Sequence, residues 1–268
     1  MPDRGPLIAI GGHEDKDGER LILKEVARRL DGGDLVVATV ASHQPDGYFE
    51  SYVKAFEDLG VGRLRELYIN ERGESSDADK LAVFEGAAGV FFTGGDQLRI
   101  SSHIGDTPIE ARVRDLHRRG GLIAGTSAGA SMMSETMLVR GSSAESNRIG
   151  DLHMAPGLAL VRDAVIDQHF AERGRIGRLL GAVAHNPRVL GIGLDEDTAV
   201  VVERDGFGVI GRGAVYVVDG EGVTHSNVAE AAQDSVLSVY DVRLHVLSHG
   251  DGFDLKRRRP DRPGERRG

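Results

Sequence analysis

Cysteine is absent from all 268 residues. A disulfide framework, a thiolate zinc site and a cysteine nucleophile are therefore excluded. Long apolar runs are missing too, and none approaches the roughly 20 residues that a membrane-spanning helix needs. There is no H-E-x-x-H or other metal-ligand spacing and no Walker-type phosphate loop. Cations are in the minority: 33 Lys and Arg stand against 42 Asp and Glu, for a net charge of −9. The imbalance is uneven. Residues 256–268 hold seven basic and two acidic side chains, a local +5, which leaves −14 on the rest. A body of that sign repels phosphates, so nucleic acid is not an expected partner. The Arg-, Pro- and Gly-rich segment 256–268 reads as a disordered basic tail. Residues 1–5 are polar and 6–10 are too short for a signal-peptide core, so a cytoplasmic location is expected.

What is present is 40% apolar content, enough for a sizeable core, and 37 glycines that close apolar runs. Strands are expected at 7–10, 35–40, 64–69, 90–92 and 122–124. Helices are expected at 19–30, 46–59 and 78–88 and from Thr107-Pro108 to about 119, the last opened by proline at the first helical position. Such alternation predicts a mainly parallel sheet covered by helices on both faces. Beyond residue 195 the pattern becomes β-rich, at 198–203, 207–210, 214–218 and 236–247, and reads as hairpins packed beside the main sheet. The expectation is one α/β domain over 1–255 with extra hairpins in its C-terminal third.

The strongest chemical signal is Gly125-Thr126-Ser127-Ala128-Gly129. It lies between the strand at 122–124 and a helix-compatible stretch at 128–135, the setting of a nucleophile elbow. Small neighbours let the backbone turn sharply at Ser127. The N–H of Ala128, at a helix start, is a natural oxyanion donor. A second donor is expected from Thr93-Gly94-Gly95-Asp96-Gln97, at Gly95. A serine needs a base. Among ten histidines, His169 stands out at the end of the apolar strand 164–166 in Asp167-Gln168-His169-Phe170. Two acids could orient it, Glu145 and Glu196, and chain order does not decide between them. Arg173, Arg175 and Arg178 fall near the start of a helix expected at 172–184. Positive charge there opposes the helix dipole, which points to a role in binding a carboxylate. Two other patterns are set aside. Gly206-Phe207-Gly208-Val209-Ile210-Gly211 matches G-x-G-x-x-G but leads into a strand, so it is not a dinucleotide loop. His13-Glu14-Asp15 follows Gly11-Gly12 and reads as a polar turn rather than a metal site.

Together, Ile8–Lys16, Phe92–Gln97, Ala124–Ala130, Asp167–Leu179 and Gly191–Ala199 resemble the cyanophycinase family. The resemblance covers most of 6–220 and is most specific in Asp-Gln-His-Phe followed by Arg-x-Arg-x-x-Arg. His13 stands where that family usually has alanine. The resemblance implies a class I glutamine amidotransferase-like fold and kinship with peptidase E, an aspartyl dipeptidase. It implies hydrolysis of cyanophycin, a poly-aspartate with arginine on each β-carboxyl group, to β-Asp-Arg dipeptides. It also implies Ser127 as nucleophile, His169 as base, Glu145 or Glu196 as acid, and Gln97, Asp167, Gln168, Arg173, Arg175 and Arg178 as substrate-binding residues. Cyanophycin or a β-Asp-Arg peptide is the implied partner, in a homodimer, with no metal or organic cofactor. A peptidase E-like enzyme acting on short Asp-X peptides is the alternative. A binding protein that lost catalysis and a general esterase are further readings; the intact Ser127 and His169 argue against the first. The second lacks a recognisable oxyanion motif and usually needs a longer chain.

Overall fold

A computed structural model describes residues 4–43, 46–140, 148–149, 152–232 and 235–261. The first half alternates strand and helix: β1 (Leu7–Ile10), α1 (Leu21–Leu30), β2 (Asp34–Ala38), α2 (Tyr48–Phe56), β3 (Leu64–Leu67), a 3-10 turn (Arg72–Ser76), α3 (Ala78–Ala82), β4 (Ala87–Phe92), α4 (Gln97–Ile104), α5 (Pro108–Arg118), β5 (Leu122–Thr126) and α6 (Ala128–Ser131). The second half is strand-rich: β6 (Thr136–Arg140), β7 (His153–Pro156), β8 (Ala164–Gln168), α7 (Ile176–His185), β9 (Leu190–Leu194), β10 (Thr198–Glu203), β11 (Gly206–Gly211), β12 (Val215–Asp219), β13 (His225–Ser226), β14 (Val239–Tyr240), β15 (Arg243–Leu247), β16 (Gly252–Asp254) and β17 (Arg259–Asp261).

The large sheet runs β17-β16-β11-β10-β1-β5-β4-β2-β3. Its β1, β5, β4, β2 and β3 are mutually parallel, as the sequence predicts. Side chains alternate between its two faces. Ile8 and Ile10 of β1 join Leu23 and Val26 of α1 and Phe56 of α2 in one apolar cluster. Leu7 and Ala9 face the other way, into a cluster with Val113 and Leu116 of α5. Every residue of β1 and β5 is buried, which is why these strands read as unbroken apolar runs.

Several expectations are corrected. The 198–203 and 207–210 strands do not pack beside the main sheet. They are β10 and β11, and they extend it antiparallel from β1. The strands at 164–168 and 190–194 leave the large sheet for a second one, ordered β15-β12-β9-β8. The helix expected at 128–135 stops at Ser131. Leu158 donates to the Met132 carbonyl at 2.7 Å and Leu160 to the Met133 carbonyl at 2.9 Å, so tertiary partners replace a further helical turn. The helix expected at 172–184 begins at Ile176, and the one at 78–88 ends at Ala82. Helix α4 was not anticipated; the Asp96 side chain caps it by accepting from the Leu98 N–H at 2.9 Å. Of the tail expected from residue 256, the described residues 256–261 are ordered, because Asp254 pairs with Arg259 and Gly252 with Asp261 in a hairpin on the sheet edge.

Candidate active site

The C-terminal ends of β1, β5, β4, β8 and β9 converge, the usual location of a binding crevice in an open α/β sheet. Ser127 sits between β5 and α6 with φ 52° and ψ −109°, a strained backbone that holds its side chain out of the turn. Its N–H donates to the Ile10 carbonyl at 3.0 Å, tying the turn to β1. The flanking glycines are required by space: a Cβ on Gly125 would lie 2.3 Å from the Gly129 carbonyl oxygen, and one on Gly129 2.3 Å from that of Phe92.

His169 follows β8 directly. Its N–H donates to the Gly11 carbonyl at 2.8 Å. A Cβ on Gly12 would fall 2.3 Å from the His169 ring, so only glycine lets the imidazole lie over this backbone. His169 Nε2 is 2.9 Å from Ser127 Oγ, and His169 Nδ1 is 2.6 Å from Glu196 Oε1. Of the two expected acids, Glu196 is the one that reaches His169; Glu145 lies outside the described residues. Glu196 rides on the connection from β9 to β10. Its neighbours fix that loop: Asp195 accepts from the N–H groups of Ala171 and Ala214, and Asp197 from that of Asp15. Burial pushes the His169 pKa below its ordinary value; the hydrogen bond to Glu196 opposes that, and the charge of Arg173 adds to it.

The turn after β4 brings Gly94 beside Ser127, where a Cβ would meet Ser127 Cβ at 3.4 Å. Among the described residues, the N–H groups of Gly95 and Ala128 have no acceptor. Gln97, buried at the start of α4, donates from Nε2 to the Leu138 carbonyl at 2.8 Å.

The arginines divide. Arg173 is exposed. Arg175 donates to Gln168 Oε1 at 2.6 Å and lies 3.4 Å from Asp167 Oδ1. Its burial lowers its pKa to about 10, so it stays charged at neutral pH. Arg178 turns inward. It is 4% exposed, and its Nε and Nη2 both hold the fully buried Asp167, with the Nε bond at 2.6 Å. This bidentate internal pair turns two of the five guanidinium N–H donors inward. Gln168 is buried, with Nε2 3.4 Å from Ser131 Oγ.

The sequence reading missed Glu14, whose position after Gly-Gly-His suggested only a turn. It is 4% exposed and accepts from Thr126 Oγ1 at 2.5 Å and Tyr52 Oη at 2.6 Å. It therefore braces the residue next to Ser127. Asp15 does organise a turn. It accepts from the N–H groups of Gly18, Arg20 and Asp17, and the hydrogen bonds from Gly18 and Arg20 do most to lower its pKa to about 2.

The family model of peptidase family S51 matches residues 7–210. The chain belongs to this family. Among S51-like relatives, a cyanophycinase of Trichormus variabilis is 41% identical over 94% of this chain and 86% of its own length. A cyanophycinase of Geminocystis herdmanii is 37% identical, over 96% of each chain. In fold, the chain is similar to a peptidase from an acI-B1 actinobacterium, with a TM-score of 0.69 at 18% identity over 94% of this chain and 97% of the other. A putative peptidase E protein of Listeria monocytogenes gives 0.52 at 16% identity, over 78% and 99%.

Proposed function

We propose that this S51 protein is a serine-type exopeptidase that hydrolyses cyanophycin to β-Asp-Arg dipeptides through an acyl-enzyme. The observation that carries the reading is the unbroken line Ser127 Oγ, His169, Glu196 on a strained elbow, in a chain 37–41% identical to cyanophycinases. The peptidase E alternative rests on a fold likeness at 16% identity.

Ser127 Oγ attacks the carbonyl carbon of a backbone aspartate unit while His169 Nε2 takes its proton. The N–H groups of Gly95 and Ala128 stabilise the oxyanion. His169 returns the proton to the leaving amine, and water, deprotonated by the same nitrogen, releases the acid and restores Ser127. Glu196 keeps His169 in the tautomer with its proton on Nδ1 and stabilises the imidazolium. Each cyanophycin unit presents a guanidinium and a free carboxylate. Arg173 and Arg175 suit the carboxylate, and Gln97 and Gln168 line the approach. Asp167, itself held by Arg178, supports Arg175 from beneath. The reading includes a cytoplasmic location and a homodimer. The second is favoured by an uncovered apolar strand, β15, whose Leu244 and Val246 are exposed.

Purified protein incubated with insoluble cyanophycin should release β-Asp-Arg, identified by mass spectrometry. Ser127→Ala should lower the rate by several orders of magnitude. Cleavage of short Asp-X peptides with no release from the polymer would transfer the protein to the dipeptidase reading.

A further inference from the structure

The His169 ring has a second imidazole beside it. His13, just past β1, has φ 48° and a side chain 71% exposed. Its ring meets that of His169 edge-on, with centroids 5.2 Å apart. Its Nδ1 is 3.6 Å from Glu196 Oε2, the carboxylate oxygen that His169 does not engage. One nitrogen or oxygen donor from each of His13, His169 and Glu196 lies within 4.8 Å of the other two. No other such trio occurs among the described residues.

We propose that His13, Glu196 and His169 form an inhibitory binding site for a borderline divalent cation of the zinc type. Two imidazoles and one carboxylate make a donor set that zinc takes in open sites, whereas magnesium and calcium favour all-oxygen shells. Tetrahedral zinc places its donors about 3.3 Å apart. The His169–Glu196 pair, 2.6 Å apart, must therefore open slightly while His13 closes in, and exposed His13 is the member free to move. The metal takes His169 Nδ1, because Nε2 faces Ser127. A neutral imidazole binds metal through a lone pair, so Nδ1 must give up its proton. That proton relocates to Nε2, and the ring stays neutral. Nε2–H then donates toward Ser127 Oγ instead of accepting from it, and the base is lost. The inhibitory half rests on the hydrolase reading; the binding half stands without it.

Isothermal titration of untagged, full-length Ser127→Ala protein with zinc chloride tests binding without catalysis. One zinc per chain is expected, with no response to magnesium chloride. Adding His13→Ala, or His13→Asn, which suits a positive φ, should weaken binding about tenfold or more. With Ser127 intact, zinc should stop release of β-Asp-Arg and EDTA should restore it. His13→Ala should turn over normally in chelator and resist zinc. Absence of zinc binding, or binding unchanged without His13, overturns the site. Binding that depends on His13 but leaves turnover intact overturns the inhibitory role. A protein inactive on both cyanophycin and Asp-X peptides refutes the hydrolase reading and leaves the titration decisive for the site.

Discussion

At the residue scale, the proton affinity of His169 is set by opposed influences. Burial lowers its pKa most, Glu196 raises it, and the positive charges of Arg173 and Arg175 lower it again. In the proposed mechanism the neutral ring is the base, so a lowered pKa keeps the base form available to lower pH. The acid limb of kcat/KM should therefore have its midpoint below the ordinary histidine value of 6.5. In Arg173→Ala one depressing charge is gone, and the limb should move to higher pH; a pH–rate series in both proteins checks this, and an unmoved limb would detach Arg173 from the site. Ser127 and His169 were legible in the sequence because each sits where an apolar strand meets small or polar residues. The acid was not, because chain order carries no distance, and Glu196 reaches His169 only through a loop fixed by Asp195 and Asp197. The inward pairing of Arg178 was hidden for a related reason. Its partner Asp167 lies eleven positions earlier, across a turn that the sequence pattern does not fold.

At the scale of elements, the parallel half was readable because buried strands announce themselves as continuous apolar runs between glycines. The division of the second half between two sheets was not, since strand partners are chosen by tertiary contact. The C-terminal hairpin shows what this conceals. A charge count marks residues 256–268 as a tail, yet Arg258 Nη1 lies 3.0 Å from Oδ1 of the fully buried Asp219. Arg243 reaches the other oxygen at 3.0 Å but is half exposed. Truncation after Leu255 should therefore destabilise the protein. Losing a hydrogen bond to a buried charge costs about 1.5–3 kcal/mol, or about 3–10 °C in Tm for a chain of this size. Calorimetry that finds an unchanged Tm would restore the tail reading.

At the scale of the molecule, β15 closes one side of the second sheet and has no neighbour beyond it among the described residues. Leu244 and Val246 on its outer face are 50% and 59% exposed, with Tyr240 close by in sequence at 57%. An open strand of this composition invites a partner. Sedimentation equilibrium should report a dimer, and Leu244→Glu with Val246→Glu should yield a monomer with its circular dichroism intact. A wild-type monomer, or a dimer that survives both substitutions, would place the interface elsewhere or remove it. The two-sheet construction also bears on how the enzyme fails. Ser127 belongs to the large sheet, His169 to the small one, and Glu196 to the strand connection between them. A slip of about 1 Å between reacting groups can cost roughly 10²-fold in rate, while leaving the apolar core that the two sheets share dry. Turnover is thus a gauge of how the sheets are seated, and on heating it should fade while the secondary structure is still whole.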